Sequence, residues 1–84
     1  MVMIFENGER VMTYQSNKTL TDSEKELMQQ KFETLKTDEI YDIVFTTSTV
    51  NILYHPTLMM DRLSMIDPSE VVHEVIEEVV GVLK

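Results

Sequence analysis

Six side chains able to bind a metal, move a proton or hold a charge fall between residues 67 and 78: Asp67, Glu70, His73, Glu74, Glu77 and Glu78. His73-Glu74-x-x-Glu77 follows a zinc-protease helix as far as its last position, where glutamate replaces the second histidine and the metal pair is broken. Glu70-x-x-His73 has the spacing of half a di-iron site. Such a site takes ligands from four facing helices in a bundle core, and here there is one copy, away from the aliphatic side of its helix. The ligand set is too small for a transition metal, and the oxygen-rich loop of a calcium site is missing. No metal and no cofactor is therefore expected.

Other chemistry is no better supplied. His55, next to Pro56, reads as a strand-end residue. Ser16, Ser23, Ser48, Ser64 and Ser69 have no nucleophile-elbow context. With glycine only at Gly8 and Gly81 there is no phosphate-cradling loop. The chain is expected not to be an enzyme.

What remains is charge. At about 100° per residue, Asp67, Glu70, Glu74, Glu77 and Glu78 occupy an arc of about 100° on one helix, opposite its aliphatic residues. No lysine or arginine stands three or four residues away to offset them, so the like charges cost helix stability, and the last turns carry the wrong sign for the helix dipole. Residues 1–36 hold six acids and five bases; residues 37–84 hold nine acids against Arg62 and Lys84, so nearly all of the net −8 lies in the second half. A field of that sign attracts basic surfaces and repels nucleic acid and anionic lipid. Five acids over this length place one charge per ~4 Å of helix axis, close to the one phosphate per ~3.4 Å of a DNA strand.

In size and charge the chain is similar to small acidic DNA-mimicking inhibitors, common in phages, although no motif ties it to one family. The expected function is a non-enzymatic protein offering a carboxylate surface to a basic, nucleic-acid-binding partner. Glu70, Glu74, Glu77 and Glu78 form the centre of that surface, with Asp61 and Asp67 at its margin. Asp38, Glu39 and Asp42 would extend it if they fold nearby. The plainer alternative is a structural or regulatory homodimer paired through Val72, Val75, Ile76 and Val79, with the acids serving solubility alone. Seven methionines, Met59, Met60 and Met65 among them, suit core filling or an adaptable contact surface.

These groups need a scaffold. Eighty-four residues, 43% hydrophobic and 26% charged, make one small globular domain. The absence of cysteine excludes disulfides and thiolate zinc sites and suits a reducing compartment. No signal peptide and no apolar run long enough to cross a bilayer is present, which gives the expectation of a soluble cytoplasmic protein.

Val2 to Phe5 and Val11 to Tyr14 read as strands around Asn7-Gly8, a favoured two-residue hairpin turn. That turn sets Phe5 against Arg10, Ile4 against Val11 and Met3 against Met12. It also sets Glu6 against Glu9, a like-charge pair that a longer loop would relieve. After a polar link from Ser16 to Leu20, Thr21-Asp22-Ser23-Glu24 is a capping box opening a helix to about Lys36, with Met28, Phe32 and Leu35 in its apolar stripe, Leu27 alongside, and Lys31 snorkelling at the edge.

Tyr41 to Tyr54 reads as two strands broken at Thr46–Thr49, with Tyr41, Ile43 and Phe45 on one face; one long bent strand is the rival. Leu58 to Ile66 reads as a short helix with Met59, Leu63 and Ile66 on one side. Asp67 as cap and Pro68 at the first helical position open a last helix to about Leu83. Strand alternation there would bury Glu74 and Glu78 beside Val72, Ile76 and Val80, so the helix is preferred. The order β-β-α-β-β-α-α predicts an α+β fold, a small antiparallel sheet with helices on one face.

Overall fold

A computed structural model describes residues 3–63 and 67–83 of the chain, without the side chains of residues 62 and 63. It holds β1 (Met3–Glu6), β2 (Val11–Gln15), α1 (Asp22–Leu35), β3 (Ile40–Phe45), β4 (Thr49–Tyr54), α2 (Pro56–Leu63) and α3 (Pro68–Gly81), in the expected order. The four strands form one antiparallel sheet in the order β1-β2-β4-β3, leaving β1 and β3 at its edges. Alternation along the strands sends Met12, Tyr14, Ile43, Val50, Ile52 and Tyr54 to one face. There they join Met28 and Phe32 of α1, Met59 of α2, and Val72, Ile76, Val79 and Val80 of α3 in a single core.

The first hairpin departs from the expected register. Ile4 faces Tyr14, Phe5 faces Thr13 and Glu6 faces Met12, and the Asn7 amide donates to the Val11 carbonyl across a loop of residues 8–10. Gly8 takes a φ of 93° in that loop, a conformation glycine adopts without steric cost. The extra loop residue separates Glu6 from Glu9. It also reverses which side of β2 goes inward: the two-residue turn would have put Val11 and Thr13 beside Ile4, whereas this register gives Met12 and Tyr14 to the core.

Helix α1 starts as its sequence dictates. The Glu24 amide donates to Thr21 Oγ1 at 3.1 Å, and the Thr21 amide donates to the Glu24 carboxylate at 2.9 Å, closing the capping box. Met28 and Phe32 are buried, Leu35 packs at the core's margin, and Leu27 stays exposed. Leu20, expected in a polar link, is also buried. Its amide donates to the Thr47 carbonyl and the Ser16 amide to the Ser48 carbonyl, so the link is laced to the β3–β4 turn.

Lys18 Nζ lies 2.6 Å from Glu24 Oε2. This ammonium first, then the Thr21 amide, hold the Glu24 carboxyl at about 2 against its usual 4.5. A carboxyl lowered by folding stabilises the fold fully above its unfolded pKa, and that contribution disappears as pH falls from about 4.5 toward 2. Glu24→Gln should therefore lower the thermal midpoint at neutral pH and make it less steep against pH between about 5 and 2 than in the native chain. Because the pair is exposed, salt should shrink the difference.

The β3–β4 hairpin has two strands, as expected, its turn closed by the Thr46 amide on the Thr49 carbonyl and by the two threonine hydroxyls. A register shift between Ile40 and Asp42 disturbs the alternation. Tyr41 is thereby exposed instead of sharing a face with Ile43, and its ring stacks on His55 at 4.4 Å. Pro56 opens α2, two residues before the expected start, and Met59 fills the core while Met60 is exposed. Leu63, Met65 and Ile66 lie outside the side chains described.

The sheet's other face has no helix over it among the described residues. Phe5, Thr13, Asn51 and Val44 form a row across all four strands there. Thr13 Oγ1 donates to Asn51 Oδ1 at 2.7 Å and Asn51 Nδ2 to the Val44 carbonyl at 3.2 Å, which satisfies the centre of the row. No helix among the described residues is long and apolar enough to cross a membrane.

Candidate partner-binding surface

Asp67 caps α3. Its Oδ1 accepts from the Ser69 amide at 3.2 Å and from the Ser69 hydroxyl at 2.6 Å, and Pro68 follows where a missing amide costs nothing. From this start the valine-rich sequence holds a helix because its aliphatic residues are spent on tertiary contacts, which outweigh weak propensity. α3 packs against β2, β4, α1 and α2, so it needs an apolar arc wider than a surface helix with one neighbour. Val72, Ile76 and Val79 are 0% exposed, and Val75 packs at the core's edge. Three of the four residues proposed to pair two copies are therefore enclosed by the chain's own core. They are not available to a second copy unless that core opens.

The acids fall on the other side. Glu70, Glu74, Glu77 and Glu78 are all exposed, as are Asp61 on α2 and Asp67 at the cap. Among the described residues no lysine or arginine pairs with any of the four glutamates. On this face His73 Nδ1 lies 2.6 Å from Glu77 Oε1. Lys18 and Lys36 are engaged by Glu24 and Glu33 on α1. Asp42 belongs to β3 at the far sheet edge, on the face away from the helices, where its Oδ1 accepts from the Ile43 amide. Glu39 is buried, so neither residue extends the stripe.

Two open depressions follow the stripe. A groove of ≈ 410 Å³ runs between β1 and α3, with Ile4, Phe5, Glu6 and Met12 on its sheet side and Ser69, Glu70, His73, Glu74 and Glu77 on its helix side. A shallower one of ≈ 330 Å³ is bounded by Glu74, Glu77 and Glu78. Asp61 and Asp67 line neither. Glu6, opposite Met12, lies on the helix side of the sheet and faces the stripe across the groove. Sequence reasoning passed over it; the awkward Glu6–Glu9 pairing of the two-residue turn was the signal that its register, and so its face, had to change. The negative field reaches inward as well: burial first, then the charges of Glu6 and Asp67, raise the Tyr54 phenol above its usual value.

This arrangement gives a row of exposed carboxylates on one helix, with an apolar strip beside it. It can attract and seat cationic side chains and bury the stems that carry them. Among the described residues no cluster of three or more potential ligands is gathered to hold a metal.

The like charges carry a cost in the free chain. Glu70–Glu74, Glu74–Glu77 and Glu74–Glu78 stand three or four residues apart, and each such pair destabilises a helix by about 0.2–0.5 kcal/mol. Replacing the four glutamates by glutamine should raise unfolding free energy in urea by about 1 kcal/mol at low salt, with a smaller gain at high salt.

Comparison with family models, curated proteins and solved structures gave no match to this chain.

Proposed function

We propose that this chain is a non-enzymatic cytoplasmic interaction protein whose α3 carboxylates occupy the nucleic-acid-binding surface of a basic protein, in the manner of a DNA mimic. The observation that carries this reading is the exposure of Glu70, Glu74, Glu77 and Glu78 with no lysine or arginine against them among the described residues. A chain selected only for solubility gains nothing from grouping like charges at helical spacing, where they oppose one another. A partner's cations would remove that repulsion on docking, and the field would speed encounter.

A homodimer through Val72, Val75, Ile76 and Val79 is less well supported, since three of these side chains already have partners in the core. The functional test is capture on immobilised protein from lysate at low salt, followed by elution with duplex DNA. Nucleic-acid-binding proteins released by DNA and lost at high salt support mimicry. Captured proteins indifferent to both DNA and salt would refute it.

A further inference from the structure

The groove beside α3 has a free strand for its other wall. β1 ends the sheet order, and no strand among the described residues pairs with its outer edge. In an antiparallel ladder, successive residues direct their amide and carbonyl alternately toward the partner strand and away from it. Donation from the Asn7 amide to the Val11 carbonyl fixes the phase. With Asn7 turned toward β2, Phe5 and Met3 turn the same way, and Ile4 and Glu6 present their amides and carbonyls outward.

The side chains of those same two residues lie on the helix side and line the groove. A strand laid antiparallel along this edge would pair with Ile4 and Glu6, and the two residues directly opposite would project their side chains over the same face. They would therefore enter the space bounded by Glu70, His73, Glu74 and Glu77.

We propose that β1 is a docking edge, and that an extended segment of the partner adds to it as a fifth strand with a lysine or arginine opposite Glu6 and an apolar residue opposite Ile4. Because the added strand runs antiparallel, its reading order is basic-x-apolar. This deepens the acidic-surface reading and rests on it for the sign of the ligand. Main-chain hydrogen bonds would supply affinity and the groove would supply side-chain choice, as in other strand-addition sites. Charge decides against a second copy of this chain as occupant: pairing β1 with itself would bring two sets of Glu6, Glu70, Glu74 and Glu77 together with no cation between them.

The probe is a fluorescein-labelled peptide, acetyl-Ser-Lys-Ser-Val-Ser-Lys-Ser-Val-amide, titrated with the full chain at low salt. Methylating the backbone nitrogens of its lysines and valines removes the donors aimed at β1 and should weaken binding about tenfold, whereas methylating the serine nitrogens, which face away, should change it less than about twofold. Exchange of the Ile4 and Glu6 amides should slow in the complex. Equal affinity of the two methylated peptides, or unaltered exchange, overturns strand addition. If, with equal affinities, reversal of the α3 glutamates to lysine still abolishes binding, the acidic surface stands and only the docking edge falls. If the methylation contrast holds and that reversal does nothing, the edge stands and the acidic reading falls. Concentration-dependent protection of these amides without peptide would give the edge to a second copy and overturn the proposal.

Discussion

Reversing Glu70, Glu74, Glu77 and Glu78 to lysine should abolish binding to a basic partner, a loss of at least about a hundredfold, because each attraction becomes a like-charge contact costing several kcal/mol. The fold should survive. All four positions are exposed, lysine has nearly the helix propensity of glutamate, and positive charge toward the C-terminal end of α3 suits the helix dipole. Each reversal shifts the net charge by two, taking −8 to formal zero, which invites self-association. The four-glutamine variant, at −4, separates loss of binding from loss of solubility: it should keep the oligomeric state of the native chain, fold at least as well, and bind more weakly. Calorimetric titration at two salt concentrations, alongside circular dichroism, measures both properties. Native-like affinity in the lysine variant would contradict a docking role for the stripe.

The second large effect concerns the scaffold. Phe32 is 1% exposed and sits where α1 meets the core, so truncation leaves a cavity the size of a ring. Phe32→Ala should cost about 3–5 kcal/mol, against a total stability of about 4–13 kcal/mol expected for a chain this size. Urea unfolding should move to much lower denaturant, and a marginal native state would be largely lost. Leu27→Ala, on the same helix but 49% exposed, should shift stability by no more than about 0.5 kcal/mol. Similar losses at the two positions would contradict this packing of α1.

Local chemistry made much of this legible in the sequence. The capping box at Thr21, the cap at Asp67 with Pro68 behind it, and the period of the last helix each act within a few residues. Where alternatives competed, burying Glu74 and Glu78 was too costly for a strand. Interactions between distant residues were less legible. The pairing of β2 with β4 is set by which strands share a core, and no local pattern encodes that choice. The first hairpin's register depended on a single loop residue. The shift near Tyr41 and its stack on His55 come from packing across two strands. The aliphatic arc of α3 was legible as wide, and in the structure it packs against four elements of the same chain. The acids of the candidate surface were legible one by one; Glu6, which faces them from another element, was hidden by the register.

Mapping amide chemical shifts during titration with a DNA-binding domain recovered by the capture experiment tests the role of the α3 carboxylates most directly. The largest changes should fall at Glu70, His73, Glu74, Glu77 and Glu78, with Ile4 and Glu6 beside them, and added duplex DNA should reverse them. Changes centred on Val44 and Asn51 across the open sheet face, untouched by DNA, would place the partner elsewhere and contradict the role assigned to the stripe.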